Sequence, residues 1–324
     1  MAYKVMGIVA GRKGGNTEML MKEALLACKE QGAEVSWINL QDFKIMHCTG
    51  CEGCTMNTMR GGKEPFCVWN GKDDVDAIFR AMLDKDGFII AIPTYDLMPS
   101  ALWTTLMHRS LPYEMSFLEK MGIVEKAPQR VAGLISLGGS TRSWQSMALE
   151  GLGATMFTQS IMVVDMQLAT RNSAHGQVAL KPEQFARARK LGENVMKAVK
   201  TDPEERRWLG DEGFGLCPVC HSNAVAKGEE HWDGVKFEME CVVCGAGGTL
   251  ERNEKGELYF KLAEDGLCRC RIFSEKRALH LDEIMENHKQ TAMNREKVQE
   301  VMAKYRAIEI PKTLETAYPN FKKQ

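Results

Sequence analysis

The chain has 324 residues, 44% hydrophobic and 26% charged, with a formal net charge of −1 and eleven cysteines. That balance argues against a nucleic-acid partner held through phosphates. No apolar run approaches the ~18 residues of a membrane helix, and the first residues carry no secretory core, so the expectation is a cytoplasmic protein of about two domains, with no membrane or nucleic-acid partner.

Over residues 1–202 strand-like and helix-like segments alternate. Residues 5–10 are a short apolar run that ends in a glycine-rich stretch, 11–17. Residues 17–31 place Leu20, Met21, Ala24, Leu25 and Cys28 at helical spacing, which makes Cys28 a small core residue rather than a ligand. A second strand is expected at 34–40 and a second helix at 73–83, opened by Asp73 or Asp74 as cap. Further strands fall at 88–92, 131–137 and 161–166, with helices at 101–109, 143–153 and 182–199. This alternation predicts an α/β fold: a flavodoxin-like, doubly wound sheet of five parallel strands, with its ligand beyond their carboxyl ends.

A polar linker from Thr201 to Arg207 separates this domain from a cysteine-bearing module at 203–265, with strand patterns at 235–239 and 257–261. The extension 266–324 reads as a C-terminal helix over 272–307, with Leu281, Ile284 and Met285 as its apolar stripe and a polar tail from Ile310.

Three loops at successive strand ends suit one phosphate-bearing ligand. The first holds Gly11, Arg12, Lys13, Gly14, Gly15, Asn16 and Thr17 at a strand-to-helix junction, where free helix-start N–H groups favour an anion. The second is Pro93, Thr94, Tyr95 and Asp96; the third is Gly138, Gly139, Ser140, Thr141 and Arg142. Tyr95, Asp96 and His108 are the nearest proton donors, although His108 reads as structural. Trp69, Trp103 and Trp144 lie near these loops, to line a pocket or to pack.

Cys48, Cys51 and Cys54 recur every third residue and place three thiolates in one compact loop, as a cubane cluster requires, with Cys67 as the candidate fourth ligand. Three readings compete: a [4Fe–4S] cluster, which is favoured, cluster-free thiols, and zinc. His47 reads as a polar neighbour. The pairs Cys217/Cys220 and Cys241/Cys244 form two CxxC knuckles, the pattern of a tetrahedral four-sulfur site. Zinc would make a zinc ribbon and iron a rubredoxin-like centre; His221 after the first knuckle, in place of glycine, favours zinc. Cys268 and Cys270 are left as free thiols near a junction.

The order of Arg12 to Thr17, Pro93 to Tyr95 and Gly138 to Ser140 resembles the NAD(P)H-dependent FMN reductases of the flavodoxin-like superfamily. With Cys48, Cys51 and Cys54 after the second strand, the chain is most similar to the iron–sulfur flavoprotein branch. The resemblance implies FMN with its phosphate on the 11–17 loop and its ring between the 93–96 and 138–142 loops. The family usually carries a serine where this chain has Ala10, which shifts phosphate binding toward Thr17 and the backbone. It further implies NAD(P)H or ferredoxin as electron donor, an acceptor or small substrate, and a homo-oligomer with FMN near the subunit interface. The rival functions are a dedicated reductase of one organic substrate, with the C-terminal region as lid, and a redox-sensing binding module.

Overall fold

Apolar runs long enough to be buried on both faces make the central strands of a parallel sheet. In the computed structural model, which describes residues 2–310, these are β1 (Lys4–Val9) and, further along, β3 and β5. In chain order β1 is followed by α1 (Asn16–Glu30), β2 (Glu34–Asn39), α2 (Gly53–Met59), α3 (Val75–Leu83), β3 (Gly87–Tyr95), β4 (Met98–Pro99) and α4 (Ala101–Met107). Then come α5 (Met115–Lys120), β5 (Arg130–Leu137), α6 (Ala148–Met156), β6 (Ile161–Ala169) and α7 (Pro182–Lys200). The five parallel strands run β2-β1-β3-β5-β6, the flavodoxin-like order. A sixth strand, the two-residue β4, is added to the expected five: it pairs antiparallel with the end of β3, Tyr95 opposite Met98.

The register aligns Val9 with Ala91 and Asn39, Pro93 with Leu137, and Leu137 with Ala169. All loops that follow these strands therefore open on one edge of the sheet. One face buries Ile8, Ile90 and Leu134 under α3, α4 and α6, and the other buries Val5, Ile89 and Val131 under α1 and α7. Helices α1 and α7 touch at Gly192, where a Cβ would lie 2.1 Å from the carbonyl oxygen of Ala24. Cys28 lies in that seam, its thiol donating to the Gly192 carbonyl at 3.4 Å, as its helical spacing suggests.

The expected helix at 143–153 divides into a 3-10 turn, Arg142–Gln145, and α6. The cause is a long-range bond: the N–H of Met147 turns away from the helix to the carbonyl of Leu97, 3.1 Å distant. Asp74 takes the cap position of α3, but its carboxylate accepts from Lys44 N, while Asp73 reaches Val75 N.

The cysteine module forms an antiparallel sheet, β7 (Val225–Lys227), β8 (Met239–Cys241), β9 (Gly247–Arg252) and β10 (Leu258–Leu262), in the order β10-β9-β8-β7. The strand pattern expected at 235–239 is used otherwise: Phe237 folds over Gly247, whose Cβ would lie 2.2 Å from the ring. The module joins residues 1–279 in one compact unit. Phe157, just past α6, is buried among its cysteines. Buried Asp165 holds the linker by accepting from Arg187 at 3.0 Å and from Asn194 at 2.8 Å, while Asn194 also donates to the Leu209 carbonyl.

The extension is broken into α8 (Ser274–Arg277), α9 (Leu279–Met293) and α10 (Arg295–Arg306), not one helix. The described residues from His280 on make a second unit, and the tail from Pro311 lies outside the described residues. No helix among the described residues is long and apolar enough to cross a membrane.

Candidate active site and cysteine centres

After β1 the chain turns through Gly11, whose Cβ would sit 3.2 Å from the Thr17 side chain, and whose carbonyl accepts from Asn39 at 3.0 Å. Gly14 is left-handed, φ 64°, and Gly15 caps α1 with no side chain to fill the first N–H groups. Those groups, with exposed Arg12 beside them, fit a phosphate. Lys13 pairs with Asp42, and Gly14 N donates to Glu18 at 2.9 Å. Burial alone would raise the Glu18 carboxyl, but Lys22 and the Gly14 N–H hold it below the usual range. The Asn16 amide turns inward: it donates to the carbonyls of Asn172 and Ala174 and accepts from Val178 N, so its part is to hold the 172–178 segment against the loop.

At the end of β3, Asp96 and Leu97 have φ 47° and 70°, a two-residue hairpin turn with both centres left-handed. Thr94 Oγ1 shares a hydrogen bond with Ser136 at 2.9 Å and donates to Gln145 Oε1 at 3.2 Å. Gln145 Nε2 donates to the Ser140 carbonyl at 3.2 Å, so this one buried amide ties the second loop to the third. Gly138 packs beneath it, since a Cβ there would lie 2.4 Å from Gln145 Cδ; a Cβ on Gly139 would lie 3.2 Å from Ser173. Thr141 Oγ1 is bonded to Ser143.

In and beside these loops Tyr95, 54% exposed, Met98, Trp144, 66% exposed, and Met147 are open to solvent. Exposed aromatic and thioether side chains of this kind suit contact with a planar aromatic ring. Trp103, in contrast, is core, bonded to Thr155, and His108 is exposed at the end of α4. Sequence reasoning missed Gln145 and Asn39; only the polarity of Asn39 at the end of an alternating strand gave a signal.

The Cys48–Cys67 segment carries two exposed thiols, Cys48 and Cys51, and two half-buried ones, Cys54 and Cys67. Residues 64–68 fold back over α2: Asn57 donates to the Glu64 carbonyl, and a Cβ on Gly53 would lie 3.0 Å from Val68 and 3.6 Å from Cys51 Sγ. The Gly53 N–H, Thr49 and the Arg109 charge lower the Cys51 thiol, whereas burial raises Cys54. Beneath them Asp73 and Arg109 form a fully buried ion pair at 2.8 Å. Trp69 Nε1 and two nitrogens of Arg109 are buried donors without an acceptor. Four thiols in one segment, with unpartnered buried N–H donors on Trp69 and Arg109, fit an anionic iron–sulfur group, and a multi-iron cluster holds its cysteines farther apart than a single ion does.

Cys217, Cys220, Cys241 and Cys244 are all buried, with sulfurs within 4.8 Å of one another; among the described residues no other such group occurs. Cys217 and Cys244 are 3.6 Å apart and Cys220 and Cys241 3.5 Å. A tetrahedron with metal–sulfur bonds of ~2.3 Å has edges of ~3.8 Å, so the quartet fits one metal ion. Each knuckle closes on a left-handed residue, His221 at φ 58° and Gly245 at φ 79°. His221 thus fills a backbone role, its ring stacked on Trp208 at 4.2 Å. Cys270 is buried in the same cluster, and Arg271 N donates to the Cys244 carbonyl at 2.6 Å, so the 268–271 segment clasps the second knuckle.

Residues 3–175 match the model of a family described as NADPH-dependent FMN reductase. An iron–sulfur flavoprotein of Methanocaldococcus jannaschii is 31% identical over 205 residues, 61% of this chain and 97% of that protein. A flavone synthase of Aspergillus candidus is 24% identical over 290 residues, 81% of this chain and 83% of its own. Among solved structures a flavone reductase superposes with a TM-score of 0.74 at 26% identity, covering 96% of this chain and 99% of that one.

Proposed function

The chain belongs to the NADPH-dependent FMN reductase family, and on that footing we propose that it reduces a conjugated aromatic small molecule with electrons from NAD(P)H. The observation that carries this reading is the similarity to a flavone reductase over 96% of the chain. The cysteine module and the extension are thus shared with a substrate reductase, beyond the 205 residues matched by the iron–sulfur flavoprotein.

FMN, when bound, supplies a ring that takes a hydride from a nicotinamide and delivers two electrons. The chain's own part is binding and orientation. The start of α1 and Arg12 hold a phosphate, and Gln145 locks the second and third loops. Tyr95, Met98, Trp144 and Met147 present an apolar face for stacked planar groups. Saturating a carbon–carbon double bond takes one hydride and one proton; the exposed Tyr95 hydroxyl gives the proton. Asp96 serves the turn, since Asp tolerates the left-handed region.

Iron–sulfur flavoprotein relatives and the unpartnered donors near Cys67 support a [4Fe–4S] centre on Cys48, Cys51, Cys54 and Cys67, with ferredoxin as the alternative donor. The closed, buried geometry of the C-terminal quartet supports a structural zinc.

The test is anaerobic purification with flavin, iron and zinc counts, then NADH and NADPH oxidation with a flavone as acceptor. The expected product is heavier by two hydrogens, and Tyr95→Phe keeps its FMN but turns over about 10²-fold more slowly. Oxidation of NAD(P)H by one-electron acceptors alone, with the flavone untouched, would instead make the protein an electron carrier.

A further inference from the structure

Arg109 is a buried charge that the strand-end loops do not use. Its side chain is 1% exposed and Asp73 is wholly buried. In a purely structural pair the guanidinium would give both terminal nitrogens to the carboxylate. Here one nitrogen, Nη1, serves both Asp73 at 2.8 Å and the Met46 carbonyl at 2.9 Å. Asp73 takes its other hydrogen bonds from Met46 N and Val75 N. The remaining edge of the fork, Nε and Nη2, is buried without an acceptor.

That edge belongs to the cysteine segment. The Arg109 charge acts on both Cys67 and Cys51, and its guanidinium interacts with the Cys67 side chain. Trp69 Nε1, two residues past Cys67, is a third donor in the same state. Buried donors without acceptors, in the cysteine segment and on the arginine that acts on it, point to a more negative sulfur than a thiol provides.

We propose that Arg109 is the charge-balancing and positioning residue of the N-terminal cysteine centre, its free N–H edge donating to the Cys67 sulfur once iron and sulfide are bound. This rests on the [4Fe–4S] reading. A fixed positive charge and N–H donors beside the sulfurs favour the reduced, more negative state of a cluster, so Arg109 raises its reduction potential.

Two variants separate this from a structural role. Arg109→Lys keeps a cation against Asp73 but has no planar fork. Arg109→Gln combined with Asp73→Asn removes both charges without stranding one. Each full-length protein is reconstituted with iron and sulfide and titrated anaerobically, the centre followed by EPR and the flavin by absorption in the same sample. The centre should become harder to reduce in both, by about tenfold in the double variant, about 59 mV for a one-electron couple, with the flavin couple unmoved. Iron-loaded variants with the wild-type potential overturn the role of Arg109 and leave the cluster standing. Wild-type protein that holds FMN but no iron overturns the cluster and the proposal together.

Discussion

Leu97 holds φ 70°, a conformation that costs a γ-branched residue on the order of 1 kcal/mol and persists only where its surroundings impose it. The imposing contact is the bond from Met147 N, which fixes the turn that aims Tyr95. Cys28 is the opposite case, a residue whose chemistry is suppressed. Burial pushes its thiol from 9.0 up to about 12. Below pH 9 both folded and unfolded chains keep the proton; between pH 9 and about 12 only the unfolded chain releases it, so stability falls as pH rises. The slope is about 1.4 kcal/mol per pH unit for this one group. Cys28→Ala should therefore be less stable than wild type at pH 8, with the gap closing above pH 9 in urea titrations; parallel curves would refute a buried neutral thiol. Cys28 was legible in the sequence because helical spacing alone settles its face. Gln145 was not: it becomes a bridge only when the register brings Pro93 beside Leu137, and nothing local announces that.

Among the elements, those with a long apolar period were readable to within a few residues, because burial on a sheet face dictates the spacing. What escaped was short or set by partners at long range: β4, α2 and the division of the 142–156 segment. The strand-end loops were legible from their glycines and, in the second, from Pro93 and Tyr95, and the structure supplies the reason for Gly138, which lies under Gln145. Gly138→Ala should expel that amide, free the Ser140 carbonyl and loosen the second loop from the third. The expected result is FMN affinity lowered about tenfold together with a fall in Tm, since the displaced amide is buried and hydrogen-bonded. Fluorescence quenching of added FMN measures it, and wild-type affinity would show the bridge to be irrelevant to the flavin.

At the scale of the whole molecule, the cysteine quartet is joined to the strand-end loops through one helix. Val243 of the second knuckle lies 3.4 Å from the position of a Cβ on Gly153, and Phe157 at the end of α6 is buried among the four sulfurs. The other end of α6 begins at Met147, whose N–H fixes the Leu97 turn. A four-cysteine metal contributes on the order of 10 kcal/mol to a small module, which here has only short strands and few apolar residues to replace it. Removing the metal therefore loosens Phe157, then α6, then the hairpin that carries Tyr95. Treatment with a strong chelator, or Cys244→Ala, should lower Tm and also release FMN faster, whereas metal loss confined to the module would lower Tm and leave FMN release unchanged. Stopped-flow FMN release, read beside the melting curve, distinguishes the two. The coupled outcome would assign a metal on the quartet the part of holding the back of the helix whose front fixes the Leu97 turn.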